Sequence, residues 1–386
     1  MALKVGRGAH APPFLVMDVI AAANARQAAL APSDPRVIRM EVGQPGTGAP
    51  AGAVAAAMAA LRGGDPLGYT EAMGRPSLRH RIAAHYQDWY GVTVPAHRIA
   101  VTTGASGAFP LAFLAAFDPG DTVALAAPFY PPYVNILTAL GLRPVILETG
   151  PETRYQPTVA LLDQLDPPPD GLIVASPCNP AGTMLSPDEL AAIAAWCDAH
   201  GARLVSDEIY HGLQYGRPVA TAAAFSPNAI VVNSFSKYFS MTGWRVGWMV
   251  LPDDLVRPVE CLAQNLFISA PHICQVAAEA AFDCAAELEL NVARYRRSRD
   301  HLLAALPGAG FPDIAAPDGA FYIYADVGAR TNDSMAFCAR MLAEAGVAVA
   351  AGVDFDRTRG ARTLRFSYCG PEADMIEAAD RLTRFR

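Results

Sequence analysis

No apolar run of about 18 or more residues interrupts the 386-residue chain, so the sequence contains no candidate for a membrane-spanning helix. The opening residues Met1 to His10 lack an apolar core followed by a small-residue cleavage site, and a cytoplasmic location is expected. The seven cysteines are scattered and never spaced as Cys-x-x-Cys, and the eight histidines never fall as His-x-x-x-His. That pattern fits reduced, mostly buried thiols and excludes a disulfide frame or a zinc site read from spacing. No basic stripe or polylysine run accompanies the net charge of −7, which removes support for nucleic-acid or anionic-membrane partners. Internal repeats and low-complexity segments are absent as well.

What is present is apolar. With 52% hydrophobic and 17% charged residues the chain can fill a large core, and its length suits two or three domains, or one large domain with an appendage. A helix is expected around Met17 to Ala31, ending at Pro32-Ser-Asp-Pro35, and a short strand at Val37 to Val42. The Gly- and Pro-rich Gly43 to Pro50 follows, either a connector or a bare backbone that a ligand can approach. Helices are expected at Ala51 to Leu61 and Pro76 to Tyr90, with the exposed aromatic Tyr69 in the turn between them.

From residue 98 to 251 seven strand-like runs alternate with helical or loop segments: Ile99 to Thr103, Thr122 to Ala127, Arg143 to Leu147, Gly171 to Ser176, Ala202 to Ser206, Ala229 to Asn233 and Val246 to Leu251. Runs apolar on both faces and separated by helical lengths indicate an α/β domain with a mostly parallel seven-stranded sheet between helices. Beyond it, helices at Ile273 to Glu289 and Asn291 to Leu306 lead to alternating strands (Ala320 to Tyr324, Thr363 to Ser367) and helices (Ser334 to Ala345, Glu372 to Arg384), a smaller α+β domain. The division expected is 41–284 for the large, cofactor-binding domain, with 1–40 and 285–386 forming an N-terminal arm and the small domain. The arginines of 291–306 read as a solvated helix face.

Chemistry is expected at the carboxyl ends of the parallel strands. Gly104-Ala105-Ser106 opens a helix and forms a phosphate cradle of free amides, with Pro110 placed in the first turn. Tyr130 and Tyr133 offer an aromatic face, Asn179 a polar amide on a rigid turn, Asp207 a carboxylate at a strand end, and Ser234 and Lys237 follow the next strand. Each alone reads equally well as a turn residue or cap. Together they describe a pocket for a flat, phosphorylated, electrophilic cofactor, and pyridoxal 5'-phosphate suits every group. A lysine held between two core strands with Arg245 nearby loses its proton readily, as a Schiff-base nucleophile must. The Gly-x-Gly-x-x-Gly of a nicotinamide dehydrogenase is missing from Gly104-Ala-Ser-Gly-Ala-Phe.

On Tyr69…Gly74, Gly104-Ala-Ser106-Gly-Ala, Asn179-Pro-x-Gly, Asp207-Glu-x-Tyr210, Ser234-x-x-Lys237 with Arg245, and Arg365-x-Ser367, the sequence resembles the class I/II aminotransferases of the pyridoxal-phosphate fold-type I group, in family order and over essentially the whole chain. The resemblance implies that Lys237 forms the Schiff base with the cofactor, Asp207 pairs with its pyridine nitrogen, and Asn179 and Tyr210 hydrogen-bond its ring oxygen. It implies phosphate contacts from Gly104, Ala105, Ser106, Ser234 and Arg245, with Tyr69 reaching the phosphate of the other subunit of a homodimer, and a ring-stacking role for Tyr130. Arg365 then clamps the substrate α-carboxylate, with Gly43 and Asn179 beside it. The reaction implied moves an amino group between an α-amino acid and a 2-oxo acid. A β-lyase or decarboxylase would use the same lysine and aspartate, whereas a cofactor-sensing transcription regulator would need a helix-turn-helix domain for which the first 40 residues are too short. Two departures lie near the substrate: Gly43-Gln44-Pro45 for the family's Gly-Glu-Pro, and Ala350-Ala351-Gly352 where the family has Pro-Gly. The apolar Pro12 to Met17 tilts the expected substrate towards neutral or hydrophobic amino acids, and serves equally as a packing arm over a dimer partner.

Overall fold

The computed structural model describes residues 3–385. The seven expected strands form one sheet, within a residue or two of their expected bounds. In chain order they are β2 (Ile99–Thr102), β3 (Thr122–Ala127), β4 (Arg143–Glu148), β5 (Gly171–Ala175), β6 (Arg203–Asp207), β7 (Ile230–Ser234) and β8 (Gly247–Val250), preceded in the chain by β1 (Ile38–Met40). The spatial order is β2-β8-β7-β6-β5-β3-β4. The pairs from β4 across to β7 are parallel, while β8 runs antiparallel to both β7 and β2. Every residue of β2, β7 and β8 is buried, as expected of strands covered on both faces.

A second sheet of five strands has the order β1-β11-β12-β10-β9, with β9 (Asp313–Ala315), β10 (Tyr322–Asp326), β11 (Val347–Ala351) and β12 (Thr363–Ser367). The chain's first strand therefore belongs with its last ones: β1 lies parallel to β11, Ile38 opposite Val347.

The structure departs from the sequence reading in four places. Pro110 is the sixth residue of the helix Ala105–Ala116, so it sits in the second turn. The expected helices at 273–289 and 291–306 are instead His272–Ala281 and a single helix Ala285–Ala305, because the chain breaks at Phe282 to Cys284 and not near residue 290. Strand β10 starts two residues late, since Ala320 adopts a left-handed φ of 57° that no strand accommodates. Strands β9 and β11 were not expected; β11 is the run Val-Ala-Val-Ala-Ala, every residue of it buried. Among the described residues no helix is long and apolar enough to cross a membrane.

Candidate active site

The carboxyl ends of β3, β5, β6 and β7 open onto one cavity of about 350 Å³. Its lining includes Gly43, Ala105, Ser106, Tyr130, Asn179, Asp207, Tyr210, Lys237, Arg245 and Arg365, ten of the thirteen residues to which the resemblance gives a role, together with Tyr133. The other three are Gly104, Ser234 and Tyr69.

Gly104 caps the helix Ala105–Ala116 with φ +73°, and a Cβ there would come within 2.7 Å of Arg245 Nη2. Glycine is thus required twice, for the backbone conformation and for the approach of the guanidinium. Ser234 is 1% exposed, turned inward with its Oγ 3.0 Å from Val246 O and 2.9 Å from Ser236 Oγ. Ser236, in the same motif, is the serine that faces the cavity. Tyr69 is 85% exposed and does not line this chain's own cavity.

The lysine follows β7 in the turn that leads back into β8. Lys237 Nζ donates to Gly43 O at 2.6 Å and lies 5.7 Å and 5.9 Å from the ring centres of Tyr210 and Phe321. Burial, seconded by the Arg365 and Arg245 guanidiniums, outweighs the attraction of Asp207 and lowers its pKa from 10.5 to about 8. An amine of that pKa gives and takes protons near neutrality.

Asp207 ends β6, 4% exposed, with Oδ1 accepting from the Ile209 amide at 3.0 Å and Oδ2 accepting from the Tyr133 hydroxyl. Burial raises its pKa to about 6 against the pull of those two donors and of Lys237, so it is ionised at pH 7. Its neighbour Glu208 faces the opposite way and is 1% exposed; its Oε1 accepts from the Ala222 amide at 2.8 Å and from Ser206 Oγ at 3.0 Å. Burial lifts Glu208 to about 8, so it is neutral at pH 7, and burial lowers His211, 3.5 Å from it, to about 3. That contact therefore joins two neutral groups, and Asp207 carries the negative charge alone.

Arg365, on β12, is 2% exposed. Its Nη1 donates to Asn179 Oδ1 at 2.9 Å and its Nη2 to Glu41 O at 2.6 Å, with Tyr322 and Phe355 rings 4.5 and 4.6 Å from its carbon. Its buried Nε has no partner among the described residues. Tyr210 and Tyr322 share a hydroxyl contact of 2.8 Å, and a Cβ on Gly43 would strike the Tyr322 hydroxyl. Sequence reasoning named neither Tyr322 nor the hydrogen bond from Tyr133 to Asp207. Nothing local marks Tyr322, which reaches the cavity from the other sheet, whereas Ser236 was visible in the motif beside Lys237.

A lysine of lowered pKa, an ionised carboxylate, a helix N-terminus with an arginine and a second arginine with a spare donor thus converge on one cavity. The profile of the family described as aminotransferase class I and II matches residues 35–382. The chain belongs to this family. It is 50% identical over 383 residues to the valine–pyruvate aminotransferase of Mycobacterium tuberculosis, covering 98% of this chain and 97% of that protein. The crystal structure of an aminotransferase from Mycobacterium tuberculosis superposes with a TM-score of 0.96 at 50% identity, covering 100% of this chain and 99% of that one. A Thermus thermophilus aspartate aminotransferase double mutant gives 0.91 at 30% identity, over 99% of this chain and all of that one. The protein is an aminotransferase, which transfers an amino group between an amino acid and a 2-oxo acid; these relatives are named for transamination, and none for elimination or decarboxylation.

Proposed function

We propose that the cavity binds pyridoxal 5'-phosphate on Lys237 and that the enzyme moves the amino group of a neutral, apolar α-amino acid such as valine to pyruvate. The donor set fits this cofactor. The phosphate would rest on the amides of Gly104, Ala105 and Ser106 with Arg245 and Ser236 beside it, Ser234 bracing Ser236 from behind. The ring would lie against Tyr130, with its nitrogen towards Asp207 and its ring oxygen towards Asn179 and Tyr210. When bound, the cofactor supplies a carbonyl that condenses with amines and an electron sink for charge at the substrate α-carbon.

Lys237 Nζ would take the proton from the substrate α-carbon and return it, a task matched by its pKa of about 8. Asp207 would keep a proton on the ring nitrogen, its own charge held in place by Tyr133 and Ile209. Arg365 would clamp the α-carboxylate with its guanidinium, with Asn179 and the Gly43 amide beside it.

The observation that carries the substrate class is the wall opposite these groups. Phe14, Val16, Met17 and Ile20 line it, and among the described residues the only cations lining the cavity are Lys237, Arg245 and Arg365, each with a task already. An acidic side chain finds no further counter-charge there among the described residues. The 50% identical relative named for valine and pyruvate supports the same reading.

Further parts of the reading concern assembly and location. A homodimer is supported by the exposed Tyr69, free to reach a partner's phosphate, and by Val54, Met58 and Leu61 exposed on the helix Ala51–Arg62. Residues 41–284 would form the large body, and 1–40 with 285–386 the arm and small body. Seven free thiols suit the reducing cytoplasm.

The test is a panel of amino donors read as single half-reactions through the cofactor's absorbance, followed by pyruvate as acceptor. Valine is expected to outpace aspartate, and no ammonia should appear with amino acid alone. A preference for aspartate, or steady ammonia release, overturns the assignment. Lys237→Ala is expected to abolish the roughly 400 nm absorbance and turnover together; a variant that retains turnover overturns the lysine's role.

A further inference from the structure

The apolar wall of the cavity is not anchored by its own helix. The helix Val16–Ala29 has no side-chain cap of its own: the residue before it is Leu15, already in helical conformation. Its first amides are satisfied from across the fold. Asp354, just past β11, accepts the Leu15 amide on Oδ1 at 3.1 Å and the Val16 amide on Oδ2 at 3.0 Å, both oxygens of one carboxylate spent on two successive N–H groups. A carboxylate at a helix N-terminus also meets the positive end of the helix dipole.

What the first turn carries is the wall itself: Phe14, Val16 and Met17, with Ile20 one turn on. What holds Asp354 is the segment that backs the carboxylate clamp. Phe355, 0% exposed, packs with Val16 and Ala350 and places its ring 4.6 Å from the Arg365 carbon. The rest of the helix is tied down independently: Arg26 Nη2 donates to Ala343 O at 2.8 Å, Arg39 Nη1 to Asn24 Oδ1 at 2.7 Å, and the Val37 amide to Gln27 Oε1 at 2.8 Å. Loss of Asp354 therefore frays one turn and leaves the helix docked. The stretch Ala350-Ala351-Gly352, where the sequence departs from its family, leads directly into this residue.

We propose that Asp354 is a specificity-positioning residue: by fixing the first turn of Val16–Ala29 it sets the distance between the apolar wall and Arg365, and so the size of side chain the enzyme accepts. The inference rests on the reading that an amino acid lies in the cavity with its carboxylate at Arg365. Wall and clamp are then two jaws joined through adjacent residues, Asp354 and Phe355. Asp354 does not line the cavity; it acts through Phe14, Val16 and Met17.

The experiment uses the cofactor-loaded enzyme and its Asp354→Ala and Asp354→Asn variants, with half-reactions for alanine, valine and leucine and amide exchange at Leu15 and Val16. The ratio of variant to wild-type kcat/KM is expected to fall with side-chain size, within about twofold for alanine and about tenfold or more for valine and leucine, chiefly through KM. Asp354→Asn, which keeps one acceptor, should fall between. Amides 15 and 16 should exchange faster while those near Arg26 do not. A loss equal for all three donors, or no loss for valine and leucine with both variants folded, overturns the proposal. The comparison is separable from the substrate assignment: if wild type turns out to prefer another donor class but the loss still scales with size, only that assignment falls.

Discussion

Replacing Glu208 with glutamine should make the enzyme's stability much less sensitive to alkali. In the folded protein Glu208 holds its proton up to about pH 8, against an ordinary 4.5, because burial penalises its charge more than Ser206 and Ala222 can repay. Folding thus binds this proton more tightly, so the stabilising contribution is complete below pH 4.5 and is lost as pH rises towards 8. The loss is about 1.4 kcal/mol per pH unit across that window, hence roughly 5 kcal/mol in all and about 3 kcal/mol between pH 5.5 and 7.5. Glutamine imitates the protonated acid: its Oε1 can accept from the same two donors, and its amide nitrogen occupies the place of the O–H near His211. Asp207 titrates in an overlapping range and its charge helps to raise Glu208, but it is common to both proteins, and most of its own effect cancels in the difference. Urea-unfolding midpoints of the cofactor-loaded Glu208→Gln and wild-type proteins, taken at pH 5.5, 6.5 and 7.5, should therefore diverge as pH rises, with the variant gaining. Parallel curves would refute a buried neutral Glu208, and so would a variant that loses ground as pH rises.

Other consequences of the site can be read in simpler assays. Gly104→Ala puts a Cβ 2.7 Å from Arg245 Nη2 at φ +73°, and cofactor affinity in an absorbance titration should fall about tenfold or more, with an unchanged constant contradicting the cradle. Tyr133→Phe removes a donor from the Asp207 carboxylate; a hydrogen bond to a charged group is worth about 1.5–3 kcal/mol, so the acid limb of the pH–rate profile should move up by about one to two units. An unmoved limb would show that the phenol does not hold that charge. Arg365→Lys replaces the anchored, planar guanidinium with a single ammonium, and KM for the amino donor should rise by about tenfold or more while cofactor binding is kept. Lost cofactor binding in that variant would place Arg365 elsewhere in the chemistry.

The large sheet was legible because its strands are short apolar runs closed by glycine, proline or aspartate, and because a parallel sheet sends its strand ends to one edge. Lys237, Asp207, Asn179 and Tyr130 group together on that rule from the sequence alone. The rule cannot see groups that arrive from elsewhere. Tyr322 comes from the other sheet, and Asp354 meets Leu15 across nearly the full length of the chain, so no window of sequence contains both partners. Pro110 was misplaced because the helix starts directly at Ala105, leaving proline in the second turn. Strand β11, Val-Ala-Val-Ala-Ala, is a short apolar run rich in alanine, which carries no periodicity that separates a strand from a helix. Between Ser234 and Ser236 spacing alone cannot choose; only the turn shows which serine lines the cavity.

The antiparallel strand β8 has a consequence for how the enzyme is made. Gly247 stands opposite Thr102 on one side and Ser234 on the other, so β8 is the seam that brings Arg245 against the helix beginning at Ala105. A ribosome delivers that helix early and its arginine some 140 residues later. The nascent chain therefore carries an incomplete anion cradle through about a third of its synthesis, and the cradle closes only once residue 250 has cleared the exit tunnel. Because Lys237 and Arg245 lie on the same connection between β7 and β8, the two groups proposed to hold the cofactor emerge together, after every other strand of the large sheet is already outside.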